Sequence, residues 1–275
     1  MPKKIALVTG ASSGIGEVTA RHLHELGYTV YGAARRVERM QDLAAAGIHV
    51  VAADVTDDAS MVSLVDGIIA AEGRIDVLVN NAGYGSYGAL EDVPVAEAKR
   101  QFEVNIFGLA RLTQLVLPHM RAQHDGYIVN ISSIGGKIWE PLGSWYHATK
   151  FAVEGLSDSL RAETAQFGIK VVIIEPGIIK SEWAGISADT LEAASKGSAY
   201  AELAGKLAAN YRSVNDGRLA SDPIVIAKAI GRAVTSKRPR TRYAVGGGAP
   251  LILFAKRILS DRAFDGFIAR AENLR

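Results

Sequence analysis

The chain has no cysteine, so disulfides and thiolate metal sites are excluded. Its six histidines include no HExxH pair, which leaves little basis for a histidine-held metal. Long hydrophobic runs are missing as well. The longest, APLILFA from Ala249 to Ala255, has seven residues, against about 20 for a bilayer-spanning helix. The apolar run near the N-terminus is broken by Val8-Thr9-Gly10, which argues against a secretory signal. Neither charge dominates: 31 Lys and Arg against 29 Asp and Glu leave +2, so there is no electrostatic case for a nucleic-acid partner. What is present, 48% hydrophobic residues with 28 glycines over 275 positions, describes a compact globular chain with many tight turns. A cytoplasmic enzyme is the expectation.

Short β-branched runs alternate with longer helical patterns. Ile5–Thr9, Thr29–Ala34, His49–Asp54, Val77–Asn80, Tyr127–Ile131, Lys170–Glu175 and Tyr243–Val245 read as strands. Most are continuously apolar, as strands covered on both faces are. Gly14–Leu26, Ala59–Glu72, Val95–Met120 and Tyr146–Phe167 read as helices between them. Strand, helix, strand in repetition predicts an α/β doubly wound parallel sheet of about seven strands, helices on both faces, in a single domain. Residues 182–222, rich in Ala, Ser and Gly, read as a helical insertion over the sheet's C-terminal edge, where ligands bind in such folds.

The first strand runs into TGASSGIG. Gly10 allows the sharp turn, Gly14 lets the backbone approach a pyrophosphate, and Gly16 permits close helix–strand packing. The next helix then aims its N-terminal amides at the phosphates, which makes Gly10, Ser12, Ser13, Gly14, Ile15 and Gly16 candidate cofactor contacts. At the end of the second strand, where an NAD-binding chain carries an acid for the ribose 2′-hydroxyl, stand Ala34, Arg35 and Arg36. Paired guanidinium groups suit a 2′-phosphate, so the expected cofactor is NADP(H).

After a Gly/Pro-rich loop comes SWYHATKF, with Tyr146 four residues before Lys150. On a helix the two lie on one face. A free phenol, with a pKa of about 10, is a sluggish base at neutral pH. An ammonium and an oxidised nicotinamide nearby would bring it toward neutrality and make it a proton donor and acceptor. On its own the pair reads as an ordinary helix-surface contact, and only the other motifs overturn that reading.

TGASSGIG, NNAG at Asn80–Gly83, NISS at Asn130–Ser133, YHATK and EPG at Glu175–Gly177 occur in an order and spacing that resemble the short-chain dehydrogenase/reductase superfamily, over nearly the whole chain. The TGxxxGxG spacing is similar to the single-domain, NADP-dependent alcohol and carbonyl oxidoreductases and unlike the extended epimerase branch. The segment GYTVYGAARRVERM and the later RYAVGGGA resemble bacterial generic oxidoreductases related to hydroxysteroid and retinol dehydrogenases. The resemblance implies hydride transfer between nicotinamide and a carbonyl/secondary alcohol. Tyr146 would be the general acid/base, Ser133 would orient the substrate oxygen, and Lys150 would also hold the nicotinamide ribose. Adjacent strand residues face opposite ways, which leaves Ser132 structural. Asn105 in QFEVNIFGLA matches the fourth catalytic position, where a helix distortion frees a backbone carbonyl for a water relay; the plainer reading is an asparagine bonded to a neighbouring strand. Asp54 and Val55 resemble the adenine contacts; Asn81, Ala82 and Gly83 resemble the NAG element; Pro176, Gly177, Ile179 and Ser181 would line the nicotinamide. Ser181 stands where threonine is usual. Alternatives left open are a non-catalytic NADP(H)-binding sensor or scaffold, and imine or enoyl reduction.

Trp139, Trp145, Trp183, Ile138, Leu142, Tyr84 and Tyr87 fall near the expected site edges and suggest an apolar small-molecule substrate, though packing explains aromatics there equally well. The tail at 249–275 reads as a helix folded over the pocket or against a partner subunit, with a membrane-surface helix as the alternative. The family habit implies a homodimer or homotetramer.

Overall fold

The structure is a computed structural model that describes residues 3–213, 217 and 219–272. Parts of the expected insertion and tail, residues 214–216, 218 and 273–275, lie outside the described residues. Strands β1 (Ile5–Thr9), β2 (Thr29–Ala34), β3 (His49–Ala52), β4 (Val77–Asn80), β5 (Gly126–Ile131), β6 (Ile169–Pro176) and β7 (Arg242–Val245) form one sheet. The order is β3-β2-β1-β4-β5-β6-β7 and every pairing is parallel. The helices are α1 (Gly14–Glu25), α2 (Gln41–Ala45), α3 (Asp58–Glu72), α4 (Val95–Phe102), α5 (Leu109–Gln123), α6 (Ser144–Thr164), α7 (Glu182–Ala194), α8 (Ala201–Ser213), α9 (Ile224–Thr235), α10 (Ala249–Ile258) and α11 (Asp261–Ala271).

The apolar strands feed two cores because successive side chains point to opposite faces. Ala6, Val8, Val30, Val79, Val129 and Val172 face α1 and α9, meeting Ala20, Leu23, Ile226 and Ile230. Leu7, Tyr31, Leu78, Ile128 and Val171 face α3 and α5, meeting Leu64, Ile68, Leu112 and Val116. Neither face is left for water. That is why the strands read as continuous apolar runs.

Two elements depart from the sequence expectation. Strand β3 stops at Ala52, because the Asp54 carboxylate accepts hydrogen bonds from the Thr56 amide (2.9 Å) and hydroxyl (2.8 Å) and turns the chain. The single helix expected over Val95–Met120 is interrupted by a π-helical turn at Glu103–Gly108. There Asn105 bonds both polar groups of the Tyr84 backbone, accepting at 3.1 Å and donating at 2.9 Å, and donates to Thr149 at 3.1 Å. At the end of the same turn Gly108 presses on β3's exit: a Cβ there would lie 2.3 Å from the Val55 carbonyl oxygen. A π turn widens the helix locally and is often found at functional sites.

Candidate active site

All seven strands run the same way, so the ends of β1, β4, β5 and β6 deliver their loops to one edge. At β1 the chain turns through Gly10 (φ +65) and Gly14 (φ +57), a backbone region costly for other residues. Gly16 is fixed by space instead, since a Cβ there would sit 2.2 Å from the Gly10 carbonyl oxygen. Ser13 is the N-cap of α1, yet its hydroxyl makes no capping bond, so the helix's first amides are not taken by its own cap. The exit of β4 is stitched to this turn. The Asn81 amide group donates to the Thr9 carbonyl (2.9 Å), and the Asn81 and Ala82 backbone amides both donate to the Thr9 hydroxyl (3.0 Å). Gly83 follows beside Asn105.

Arg35 and Arg36 follow β2 directly and are exposed. A third arginine, Arg39 on the 3₁₀ turn Val37–Met40, is already engaged: both terminal guanidinium nitrogens hold the Glu182 carboxylate, at 3.2 and 3.0 Å. Asp54 and Val55 lie past β3 at the same edge. Gly177 leaves β6 with its amide bonded to Val245 (2.8 Å), Ile179 bridges to Ser221, and Ser181 caps α7 near Gly14. Glu175, the first residue of EPG, turns away into an ion pair with Arg242 (3.3 Å).

Beyond β5, Ser133 accepts from the Gly135 amide (3.0 Å) and lies close enough to the Tyr146 phenol for its hydroxyl to favour the phenolate. Ser132 is buried without a partner among the described residues, pointed toward Gly136. The structure thus places Ser133, not Ser132, against the tyrosine. Helix α6 carries Tyr146 and Lys150 one turn apart. The lysine amine donates to the Ile131 carbonyl at 2.9 Å and lies 5.9 Å from the Tyr146 ring centre. Thr149, between them, donates to the Tyr146 carbonyl (2.8 Å) and receives the Asn105 amide, so the Asn105 side chain is structural.

The chain's own groups disfavour the charged form of both side chains. Burial raises the Tyr146 pKa to about 12, with Glu140 pushing the same way and Ser133 opposing. Burial also lowers Lys150 to about 8, against Glu154. Desolvation disfavours whichever form is charged, and here it is the largest influence on both groups.

Of the rim residues read from sequence, Tyr87, Trp183 and Leu142 gather around Tyr146, with ring centres 5.3 Å away for Tyr87 and 5.5 Å for Trp183. The others point elsewhere. Ile138 and Trp139 pack on α10 and α11, Trp145 packs on Phe102, and the Tyr84 hydroxyl bonds Glu97. The tail helices cover the β5–α6 loop through that same Ile138–Trp139 cluster. Two residues at the site escaped the sequence reading, Tyr211 from α8 and Glu140 from the loop. Only their tertiary contacts reveal them. Among the described residues no group of three or more metal-ligating side chains converges.

A doubly wound sheet with a glycine turn after its first strand, and a Ser, Tyr and Lys side chain grouped at the same edge, defines the nicotinamide-type oxidoreductase class. The chain belongs to the short chain dehydrogenase family, whose profile matches residues 4–191. It is 36% identical to an uncharacterized oxidoreductase, YusZ, of Bacillus subtilis, over 98% of this chain and 99% of that protein. A 3-ketodihydrosphingosine reductase of Bacteroides thetaiotaomicron is 44% identical over 64% of each chain. An NADPH-dependent 3-dehydrocapnine reductase of Ornithobacterium rhinotracheale is 32% identical over 95% of each. Among solved structures, a short-chain dehydrogenase from Streptomyces avermitilis superposes with a TM-score of 0.81 at 37% identity, covering 100% of this chain and 97% of that one. A metagenomic short-chain oxidoreductase in complex with NADP gives 0.70 at 29% identity, over 89% and 97%. One from Burkholderia phymatum in complex with NAD gives 0.78 at 27%, over 94% and 92%.

Proposed function

We propose that this oxidoreductase uses NADP(H) to interconvert a small-molecule ketone and its secondary alcohol, with Tyr146 as the proton donor in reduction. The observation that carries this reading is the grouping of Ser133, Tyr146 and the Lys150 amine at the edge where the glycine turn lies. The residues present fit the cofactor. Gly10, Gly14 and Gly16 leave a turn with no Cβ in the way, the amides from Ser12 to Gly16 and the start of α1 suit a pyrophosphate, and Arg35 and Arg36 suit a 2′-phosphate. Asn81, Ala82 and Gly83, with Asp54 and Val55, would flank the adenosine; Pro176, Gly177, Ile179 and Ser181 would line the nicotinamide. The NADP-bound neighbour and the relative named NADPH-dependent support the same choice, while the NAD-bound neighbour shows that the fold alone does not dictate it.

When bound, NADPH supplies a hydride to the carbonyl carbon. The bonding pair moves to the carbonyl oxygen, which Ser133 steadies and Tyr146 protonates. With a pKa of about 12 the phenol is fully protonated at neutral pH, the form that reduction requires. In the reverse direction the same phenol would have to give up that proton before it could act as a base. Asn105 would act through its main chain in the π turn, since its side chain is spent on Tyr84 and Thr149.

Ser133→Ala should lower kcat by about 10²-fold or more, the usual cost of one oxyanion donor, while Ser132→Ala changes it little. An unchanged rate in Ser133→Ala would remove that residue from the chemistry. The pH profile should carry the mark of Lys150. Its amine is charged below a pKa of about 8, so kcat/KM for NADPH-driven reduction should fall as pH rises through that value. A profile flat to pH 10 would contradict a role for the charged amine. The function itself is tested by following 340-nm absorbance of NADPH with a panel of carbonyl compounds. Turnover of at least one ketone is expected. Tight NADPH binding with no turnover across the panel would indicate a sensor.

A further inference from the structure

Helix α7 begins far from the strand that leads into it. β6 ends at Pro176, and in the sheet order β6 stands four strand spacings from β2, about 19 Å. Six residues beyond Pro176, Glu182 meets Arg39 on the turn that follows β2. The two terminal guanidinium nitrogens of Arg39 donate to the two carboxylate oxygens, at 3.2 and 3.0 Å. Between these ends the chain passes the glycine turn, since a Cβ on Gly14 would lie 3.8 Å from that of Ser181. Residues 177–182 thus cross the edge at which the site is grouped. Among the described residues, Arg39–Glu182 is the one ion pair that ties the insertion at 182–222 to the β1–β3 half of the sheet.

The residue after Glu182 reaches the chemistry. The Trp183 ring centre lies 5.5 Å from that of Tyr146 and 5.7 Å from that of Tyr87, which it meets edge-on. It has room there because position 85 is glycine: a Cβ at Gly85 would sit 2.8 Å from Trp183 Cζ2 and 3.1 Å from Cε2. Glu182 and Trp183 are neighbours in the first turn of α7, so whatever fixes one places the other. The ion-pair side chains are 39% and 54% exposed, and a pair so exposed adds little to stability. Two parallel hydrogen bonds between planar groups nevertheless set direction as well as distance. What this pair sets is the start of α7, and with it the indole beside the phenol.

We propose that Trp183 is the wall that limits the width of the ketone next to its carbonyl, and that Arg39 and Glu182 are positioning residues that hold this wall against Tyr146. This rests on the carbonyl-reductase reading above. The test compares NADPH-driven reduction of a straight-chain methyl ketone with that of its isomer carrying a tert-butyl group on the carbonyl. The preference in kcat/KM for the straight isomer should fall at least about tenfold in Trp183→Ala, the scale on which an apolar pocket discriminates by size. Arg39→Gln and Glu182→Gln should each lower it about twofold to fivefold, the reach of an exposed ion pair. The exchanged pair, Arg39→Glu with Glu182→Arg, should restore part of the loss. A preference unchanged in Trp183→Ala overturns the wall. One that falls in Trp183→Ala but not in Arg39→Gln or Glu182→Gln overturns the positioning role. A second readout needs no turnover. In the background Trp139→Phe with Trp145→Phe, Trp183 is the only tryptophan left, and its quenching by acrylamide should rise when Glu182→Gln is added. Unchanged quenching overturns the positioning role as well. Failure to reduce any ketone, slender or bulky, would instead overturn the underlying function, and the quenching would still test the hold on the indole.

Discussion

Tyr146→Phe is expected to lower turnover by about 10³-fold, within the range for loss of a positioned general acid, while cofactor affinity and melting temperature stay close to their original values. The substitution removes one oxygen and keeps the ring that packs between Tyr87 and Trp183. Ser133 keeps its bond from the Gly135 amide, so its hydroxyl is not orphaned. The loss should appear equally in kcat and kcat/KM, the signature of an interaction made only in the transition state. Steady-state assays at 340 nm, NADPH titration and thermal melts separate these quantities. Retained activity would take Tyr146 out of the mechanism. A loss of stability of comparable weight would make its role structural.

The double substitution Arg35→Ala with Arg36→Ala should raise the Kd for NADPH by about 10² to 10³-fold and change that for NADH by less than about threefold. The two cofactors differ only at the 2′-position, and a charge-assisted hydrogen bond contributes about 1.5–3 kcal/mol. Both arginines leave β2 exposed at the sheet edge, whereas the nearby Arg39 is held by Glu182. Equal losses for both nucleotides would place the arginines on the shared pyrophosphate, and no loss would place them in solvent.

Much of the architecture was legible because its causes are local. Strands covered on both faces leave apolar runs, and β1, β2 and β4 begin and end where the sequence predicts. The glycine turn is legible for a steric reason, since Gly10 and Gly14 need positive φ and Gly16 has no room for a Cβ. The preference for Ser133 over Ser132 came from its 13-residue separation from Tyr146, which resembles the family's spacing, while alternation said only that one of the two would face the site. In the structure Ser133 is the one near the phenol. What escaped depends on contacts distant in sequence. The π turn exists because Asn105 reaches Tyr84 and Thr149 while Gly108 meets Val55. Spacing reveals the lysine near Tyr146 but not the burial that raises the phenol to about 12. Trp139 and Trp145 suggested a rim, yet pack outward on Phe264 and Phe102. Tyr211 and Glu140 meet across an insertion that no local pattern links.

A crystal structure with NADP(H) and a ketone-like inhibitor bears most directly on the site. The expected result is the Tyr146 oxygen facing C4 of the nicotinamide, with Ser133 on the same side and room for one carbonyl between them. A phenol turned away from that carbon, still packed under Trp183 with the cofactor in place, would contradict it.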